Sequence, residues 1–212
     1  MKTTILKDWI NPIYLEDKKL EKIKINFYKS QPYNYLSLDN FLLEGRAEIL
    51  LKTLKDEDYY IEDSDLYQFL RTVDFKDMKH PILREFREFL KSDETIQFFE
   101  KMLGSKISKK IVDSHSLKLL NTHYLLCHDD LVLGRQFAFI FNLSKDFNEK
   151  DGGQFEIFDT NKDGSASGKI IKSIIPKFNR FNLFKVSKNS YHQIREVCSD
   201  KERISIGGWF HY

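Results

Sequence analysis

Apolar residues recur at helical spacing in three stretches of the first half of the chain. Asp39 and Asn40 supply cap residues for a segment running to about Lys55. Its apolar content is Phe41, Leu42, Ala47, Ile49, Leu50, Leu51 and Leu54. Pro81 suits the first turn of a second helix, in which Ile82, Leu83, Phe86, Phe89 and Leu90 follow the helical period. Ser92 is placed to cap a third, containing Ile96, Phe99 and Leu103 and ending at Gly104. From about Lys106 the pattern changes to short strands separated by turn signals. The candidates are 115–121, 123–129, 136–143, 153–158, 168–175, 180–187, 190–195 and 203–211. Eight short strands at this spacing argue for a sandwich or barrel. Helices first and strands after predict an α+β fold, with the helices packed on one outer face of the β unit. We read residues 1–212 as one domain, about 1–105 mainly helical support and about 106–212 the β core.

Composition sharpens this picture in a few places. The chain has 18 phenylalanines, and rings bury large areas, so a Phe-rich sheet core is expected. A formal net charge of +2 gives no case for nucleic acid or an anionic membrane as partner. The lysines at 18, 19, 22 and 24 read as a solvated face. No stretch approaches the ~20 apolar residues of a membrane span, and charge interrupts any signal-peptide core at the N-terminus. Two cysteines, Cys127 and Cys198, fit a reducing cytoplasm and small core positions. Asp159 to Gly164 matches the first half of a calcium loop, but Ile170 stands where the bidentate Glu belongs, so a polar hairpin loop is expected.

The segment Tyr124-Leu-Leu-Cys-His128-Asp129-Asp130 carries the chemistry. Alternate side chains of a strand share a face, so His128 and Asp130 can meet one metal ion. His-x-Asp with a distant second His is the ligand set of non-haem iron(II) oxygenases. His192, on a late strand, supplies the second. These three ligands occupy one face of an octahedron and leave the other for a bidentate keto acid and dioxygen. Arg203 opens the last strand, and Ser205 and Trp209 share its face. A guanidinium grips a carboxylate through two parallel hydrogen bonds, and a hydroxyl can add a third. A zinc site from Cys127, His128, His192 and Cys198 is disfavoured, because adjacent residues point to opposite strand faces and short Cys-x-x-Cys pairs are lacking.

Taken together, the chain resembles the prolyl hydroxylase branch of the 2-oxoglutarate oxygenases, and within it the eukaryotic ribosomal-protein prolyl 3-hydroxylases. The matching stretches are 125–130, Gly134-Arg135, 138–140, Gly152-Gly153, 171–176, 184–186 and 203–211, with Asp65-Leu-Tyr-Gln-Phe69 ahead of the barrel. The resemblance implies a double-stranded β-helix of the jelly-roll, cupin-like kind. It implies iron(II) held by His128, Asp130 and His192, with Arg203 binding 2-oxoglutarate and ascorbate admitted as a supporting reductant. Tyr124, Ser205 and Trp209 join Arg203 as candidates for that pocket. Arg135, Tyr67 and Gln68 would lie near a protein substrate with a target proline, in a ribosomal protein by the same resemblance. The implied products are succinate, carbon dioxide and a hydroxylated substrate. Hydroxylation of a free amino acid or other small molecule, and a non-catalytic metal-bound binding module, are the alternatives.

Two departures from the family pattern stand out. The eukaryotic relatives carry a second, non-catalytic β-helix domain, whereas this sequence reads as a single catalytic domain, so a different partner choice is expected. The family tends to place a Tyr contacting 2-oxoglutarate where this sequence has Asn142. The run 137–143 alternates large aromatics with Ala138, Ile140 and Asn142. The phenylalanines are therefore expected to face the helices and the smaller set the pocket, where the Asn142 amide could still donate to a carboxylate.

Overall fold

The computed structural model describes residues 5–107, 112–132 and 134–212. The helical layer holds α1 (Ile5–Trp9), α2 (Asp17–Lys29), α3 (Glu44–Lys55), α4 (Pro81–Lys91) and α5 (Asp93–Leu103). Ser92 caps α5 by accepting from the Thr95 N–H at 3.2 Å, and Gly104 ends it in the left-handed region at φ 63°. Pro81 opens α4, whose Ile82, Leu83, Phe86, Phe89 and Leu90 are all buried. None of the described helices is long and apolar enough to cross a membrane.

Two expectations about this layer are corrected. The helix expected from Asp39-Asn40 begins only at Glu44, and Leu43 precedes it with no side-chain cap. Asp39 is occupied elsewhere: its carboxylate accepts from Arg180 Nε at 2.6 Å and Lys177 Nζ at 2.8 Å. Ile49 is on the solvent side of α3 rather than in its apolar stripe. The lysine-rich stretch 18–24 lies on α2, which buries Leu20, Ile23 and Phe27.

The strands are β1 (Tyr35–Leu38), β2 (Tyr60–Ser64), β3 (Tyr67–Arg71), β4 (Val112–Leu119), β5 (Tyr124–His128), β6 (Arg135–Asn142), β7 (Phe155–Thr160), β8 (Ala166–Ile174), β9 (Arg180–Lys185), β10 (His192–Ile194) and β11 (Arg203–His211). All eight expected strands are present, joined by β1 and the β2–β3 hairpin. Their order is β1-β9-β6-β11-β4-β3-β5-β10-β7-β8, with β2 on β3 and every pairing antiparallel. The chain alternates between two halves, β4, β6, β9 and β11 on one side and β5, β7, β8 and β10 on the other. This is the double-stranded β-helix, and β3 bridges its halves by pairing with both β4 and β5.

Strand alternation divides the core in two. Phe137, Phe139 and Phe141 of β6 and Phe181 and Leu183 of β9 pack against the helices. Ala138 and Phe184 face the barrel interior with Phe155, Ile157 and Ile194. The phenylalanines of β6 thus face the helices, as the alternation predicts. The Asp159–Gly164 segment closes the β7–β8 hairpin, with Asp163 accepting from the Ser165 N–H and hydroxyl. Both cysteines are free, and neither is a core residue: Cys127 is half-buried and Cys198 exposed. Cys127 sits on β5, none of whose residues is fully buried, and Cys198 lies in the loop after β10.

Candidate active site

Antiparallel pairing of β10 on β5 sets His192 directly opposite His128, with ring centroids 4.2 Å apart. Asp130 joins them from just beyond β5. Its φ of 62° is left-handed, so it meets His128 through a turn and not through strand alternation. Asp130 Oδ1 lies 3.6 Å from His128 Nε2, and Oδ2 lies 3.5 Å from His192 Nε2. The candidate ligand atoms all lie within 4.8 Å of one another.

The donor chemistry fits a divalent metal. His128 Nδ1 is 2.7 Å from the Leu126 carbonyl, and His192 Nδ1 is 2.7 Å from the Ser190 carbonyl. A carbonyl only accepts, so each Nδ1 carries a proton, and in the neutral ring Nε2 is the atom left with a lone pair for a metal. Burial, with His128 close by, pushes the His192 pKa down to about 4, which keeps it a neutral ligand. Burial also pushes against ionising Asp130, but the two imidazoles outweigh it and hold the carboxyl below its usual range. Burial disfavours charging His128 as well, and Asp130 reverses that, leaving its pKa raised. Phe184 and Phe155 pack on the His192 ring at 4.5 and 5.4 Å and fix its plane.

A cavity of about 300 Å³ runs from this cluster into the barrel. At its inner end sits Arg203, 1% exposed. Nε donates to the Gly153 carbonyl at 2.8 Å, NH1 to Ser205 Oγ at 3.1 Å and NH2 to Asn142 Oδ1 at 3.3 Å. No carboxylate among the described residues pairs with it, and burial pushes its pKa down to about 10. Gly153, at φ 70°, is required beside it, since a Cβ there would stand 2.9 Å from Arg203 Cδ. A buried, unpaired cation facing a cavity calls for an anion.

The remaining sequence candidates separate. Ser205 and Trp209 line the cavity on the Arg203 face of β11, and Tyr67 lines it from β3. Arg135 lies closer to the metal cluster than a purely substrate-facing residue: its guanidinium stacks 3.5 Å over Trp209, and NH1 is 3.4 Å from Asp130 Oδ1. Asn142 is buried and already bonded at both ends, to Arg203 and, at 3.4 Å, to the Arg180 carbonyl. Gln68 reaches Asp63 at 3.4 Å, away from the cavity, and Tyr124 is not among the lining residues, whereas its neighbour Leu125 is. Sequence reasoning missed His115, which lines the cavity, and two residues of β9: Phe184, which also lines it, and Asn182, which is buried on the same strand face without lining it. The last two are signalled by their places on β9: Phe184 lies on the face opposite Phe181 and Leu183, and Asn182 is a lone amide in an apolar strand. Cys127 and Cys198 take no part in the metal cluster.

The fold and this cluster define a class: β-helix barrels with a two-histidine, one-carboxylate centre and a buried arginine across the cavity from it. Residues 115–211 match the family model described as 2OG-Fe(II) oxygenase superfamily, and the chain belongs to that superfamily. It is similar to a prolyl 3-hydroxylase of Xenopus laevis, 34% identical over 186 residues that cover 84% of this chain. The chain spans about a third of that relative's length, 33%. Among solved structures it resembles a Pseudomonas putida prolyl-4-hydroxylase, with TM-score 0.70 and 14% identity over 89% of this chain and 98% of the other. It also resembles a prolyl hydroxylase from Trichoplax adhaerens solved with a hypoxia inducible factor peptide fragment. There the TM-score is 0.69 and the identity 15%, over 92% and 91% of the two chains.

Proposed function

We propose that the protein is an iron(II)- and 2-oxoglutarate-dependent dioxygenase that hydroxylates a prolyl residue of a protein, ribosomal by the family resemblance. The carrying observation is one cavity with the His128–Asp130–His192 cluster along its wall and the uncompensated Arg203 at its inner end. Bound there, iron(II) and 2-oxoglutarate supply the superfamily's chemistry, coupling decarboxylation of the keto acid to succinate with transfer of one dioxygen atom into a C–H bond.

The chain's own residues do four things in this reading. His192, neutral already, and His128, which would give up its Nε2 proton as metal binds, are held by backbone carbonyls so that each Nε2 is the ligand atom, and Asp130 contributes the one negative charge. Arg203, steadied by Gly153, Ser205 and Asn142, binds the far carboxylate of the dicarboxylic co-substrate. Ile140, Phe184 and Ile194 line the cavity with apolar surface and keep water from it. Arg135, stacked on Trp209 beside Asp130, orients the carboxylate from the cavity's outer side.

The mouth suits a peptide. Leu66, Tyr67 and the Glu62–Arg71 ion pair of the β2–β3 hairpin border it, with Leu131 and Val132 exposed nearby. The named activity of the Xenopus relative supports proline as the target. Two unbridged cysteines support a reducing, cytoplasmic setting. The test incubates the iron-loaded chain with 2-oxoglutarate and an intact ribosomal protein or loop peptide. A mass gain of one oxygen that requires the proline and is matched by succinate supports the reading. Equal oxidation of a proline-to-alanine control, or turnover of free proline alone, refutes it.

A further inference from the structure

We propose that Asn182 is a second polar anchor for the far carboxylate of the co-substrate, working beside Arg203 at the inner end of the barrel. This rests on the co-substrate reading above. Asn182 is 1% exposed, and neither Oδ1 nor Nδ2 has a hydrogen-bond partner among the described residues. A buried primary amide left unsatisfied at both ends is costly, and folded proteins give such groups a partner.

Its position indicates the partner. Phe181 and Leu183, its neighbours on β9, belong to the helix-side core, and Phe184 lines the cavity, so Asn182 lies on the interior face of β9, next to the cavity wall and not in its empty lining. Directly across on β6 is Ile140, which lines the cavity. One diagonal step further along β6 is Asn142, whose Oδ1 accepts from Arg203. Diagonal neighbours on one face of an antiparallel pair lie ~7–8 Å apart, within reach of a small group held between them. Arg203 has five N–H donors, of which three are taken, so it retains donors for a carboxylate. A carboxylate oxygen accepting from Arg203 has further lone pairs, and the Asn182 NH2 is an unpartnered donor on the interior side of the sheet, as the Trp209 Nε1–H is on the cavity wall. Asn142, bonded at both ends, acts instead as a positioning residue for Arg203.

The experiment measures binding without turnover. The full chain, loaded with manganese(II) under anaerobic conditions, is titrated calorimetrically with 2-oxoglutarate and with 2-oxopentanoate, which has the same carbon chain and no far carboxylate. For Asn182→Leu the 2-oxoglutarate Kd is expected to rise about fivefold or more, the worth of one hydrogen bond. The 2-oxopentanoate Kd should be unchanged or lower. The ligand-free variant should melt at a higher temperature, because the orphaned amide is gone. Asn182→Asp places an anion beside Arg203, so it should abolish 2-oxoglutarate binding and leave 2-oxopentanoate bound. If Asn182→Leu does not fold, Asn182→Ala is read the same way. An unchanged 2-oxoglutarate Kd, as expected if a buried water serves the amide, overturns the proposal, as does equal weakening of both ligands. A parent protein that binds no 2-oxoglutarate refutes the co-substrate reading itself, a distinguishable result.

Discussion

Replacing Arg203 with methionine should separate the stability of the barrel from its affinity for a dicarboxylate. In the ligand-free protein the guanidinium is buried with no counter-charge among the described residues, and its pKa falls from 12.5 to about 10. That fall corresponds to roughly 3 kcal/mol of desolvation borne by the folded state. Methionine removes this cost, but it leaves the Gly153 carbonyl, Ser205 Oγ and Asn142 Oδ1 without their donor, at about 1 kcal/mol each. The two effects nearly cancel, so the variant should unfold within ~1–2 kcal/mol of the parent. Affinity for 2-oxoglutarate has no such offset, because the lost contact is a buried, charge-assisted pair worth ~2–5 kcal/mol. The Kd should rise by at least ~30-fold, at ~1.4 kcal/mol per factor of ten. Denaturant unfolding and anaerobic calorimetry on the manganese-loaded protein give both numbers, with pyruvate as a keto acid that never reaches Arg203. An unchanged 2-oxoglutarate Kd would refute the assignment. So would an equal loss of pyruvate binding, which would mean that the whole cavity had collapsed.

Further outcomes follow from the same structure. Asp130→Asn should keep the fold, since Asn tolerates φ near 62°, while metal affinity drops by ~100-fold or more; metal analysis beside circular dichroism checks both. Gly152→Ala should cost more than ~3 kcal/mol, because its Cβ would stand 1.9 Å from the Glu196 carbonyl oxygen at φ 75°; a denaturation midpoint close to the parent's would contradict this. His115 is buried neutral, its pKa pushed down by burial to about 4 from 6.5. The unfolded chain therefore binds a proton that the folded chain refuses, so stability falls as pH drops from about 6.5 to about 4, by roughly 3 kcal/mol in all. His115→Gln should flatten that part of the pH–stability curve, and an unchanged slope would assign it to other groups.

What the sequence made legible depended on contrast between neighbouring positions. The eight barrel strands were readable because Phe-rich alternation is strong where one face meets helices and the other a cavity. Asp130 was found from its spacing to His128, although the geometry that brings it there is a left-handed turn beyond the strand. Helix α2 was missed because lysines dominate its composition and mask Leu20, Ile23 and Phe27 at helical spacing. Both strands of the β2–β3 hairpin are partly exposed on both faces, which leaves little alternation to detect. The partners of Arg203 were beyond reach for another reason: Gly153 and Asn142 are 50 and 61 residues away along the chain. Only the assembled barrel brings them to one guanidinium.

The alternation along β9 leads to a final prediction about adjacent residues with opposite roles. Phe181 stacks on Phe41 at 4.3 Å and packs on Phe141 at 4.5 Å, on the side where the helices cover the sheet. The interior side carries His115, Asn142, Asn182, His192, Arg203 and Ser205, all buried and polar. Such groups add little net stability, so the helix-side aromatic layer must supply most of what holds the barrel closed. Phe181→Ala removes a fully buried ring from that layer and should cost ~3–5 kcal/mol. Its backbone keeps the same register with Phe141, so the neighbouring interior positions should stay in place below the melting transition. The expected result is a large drop in denaturation midpoint with a 2-oxoglutarate Kd within about twofold of the parent, a change under ~0.5 kcal/mol. If Phe181→Ala weakens 2-oxoglutarate binding strongly while circular dichroism shows it folded, the two faces of the strand are mechanically coupled. The division of labour between them would then be wrong.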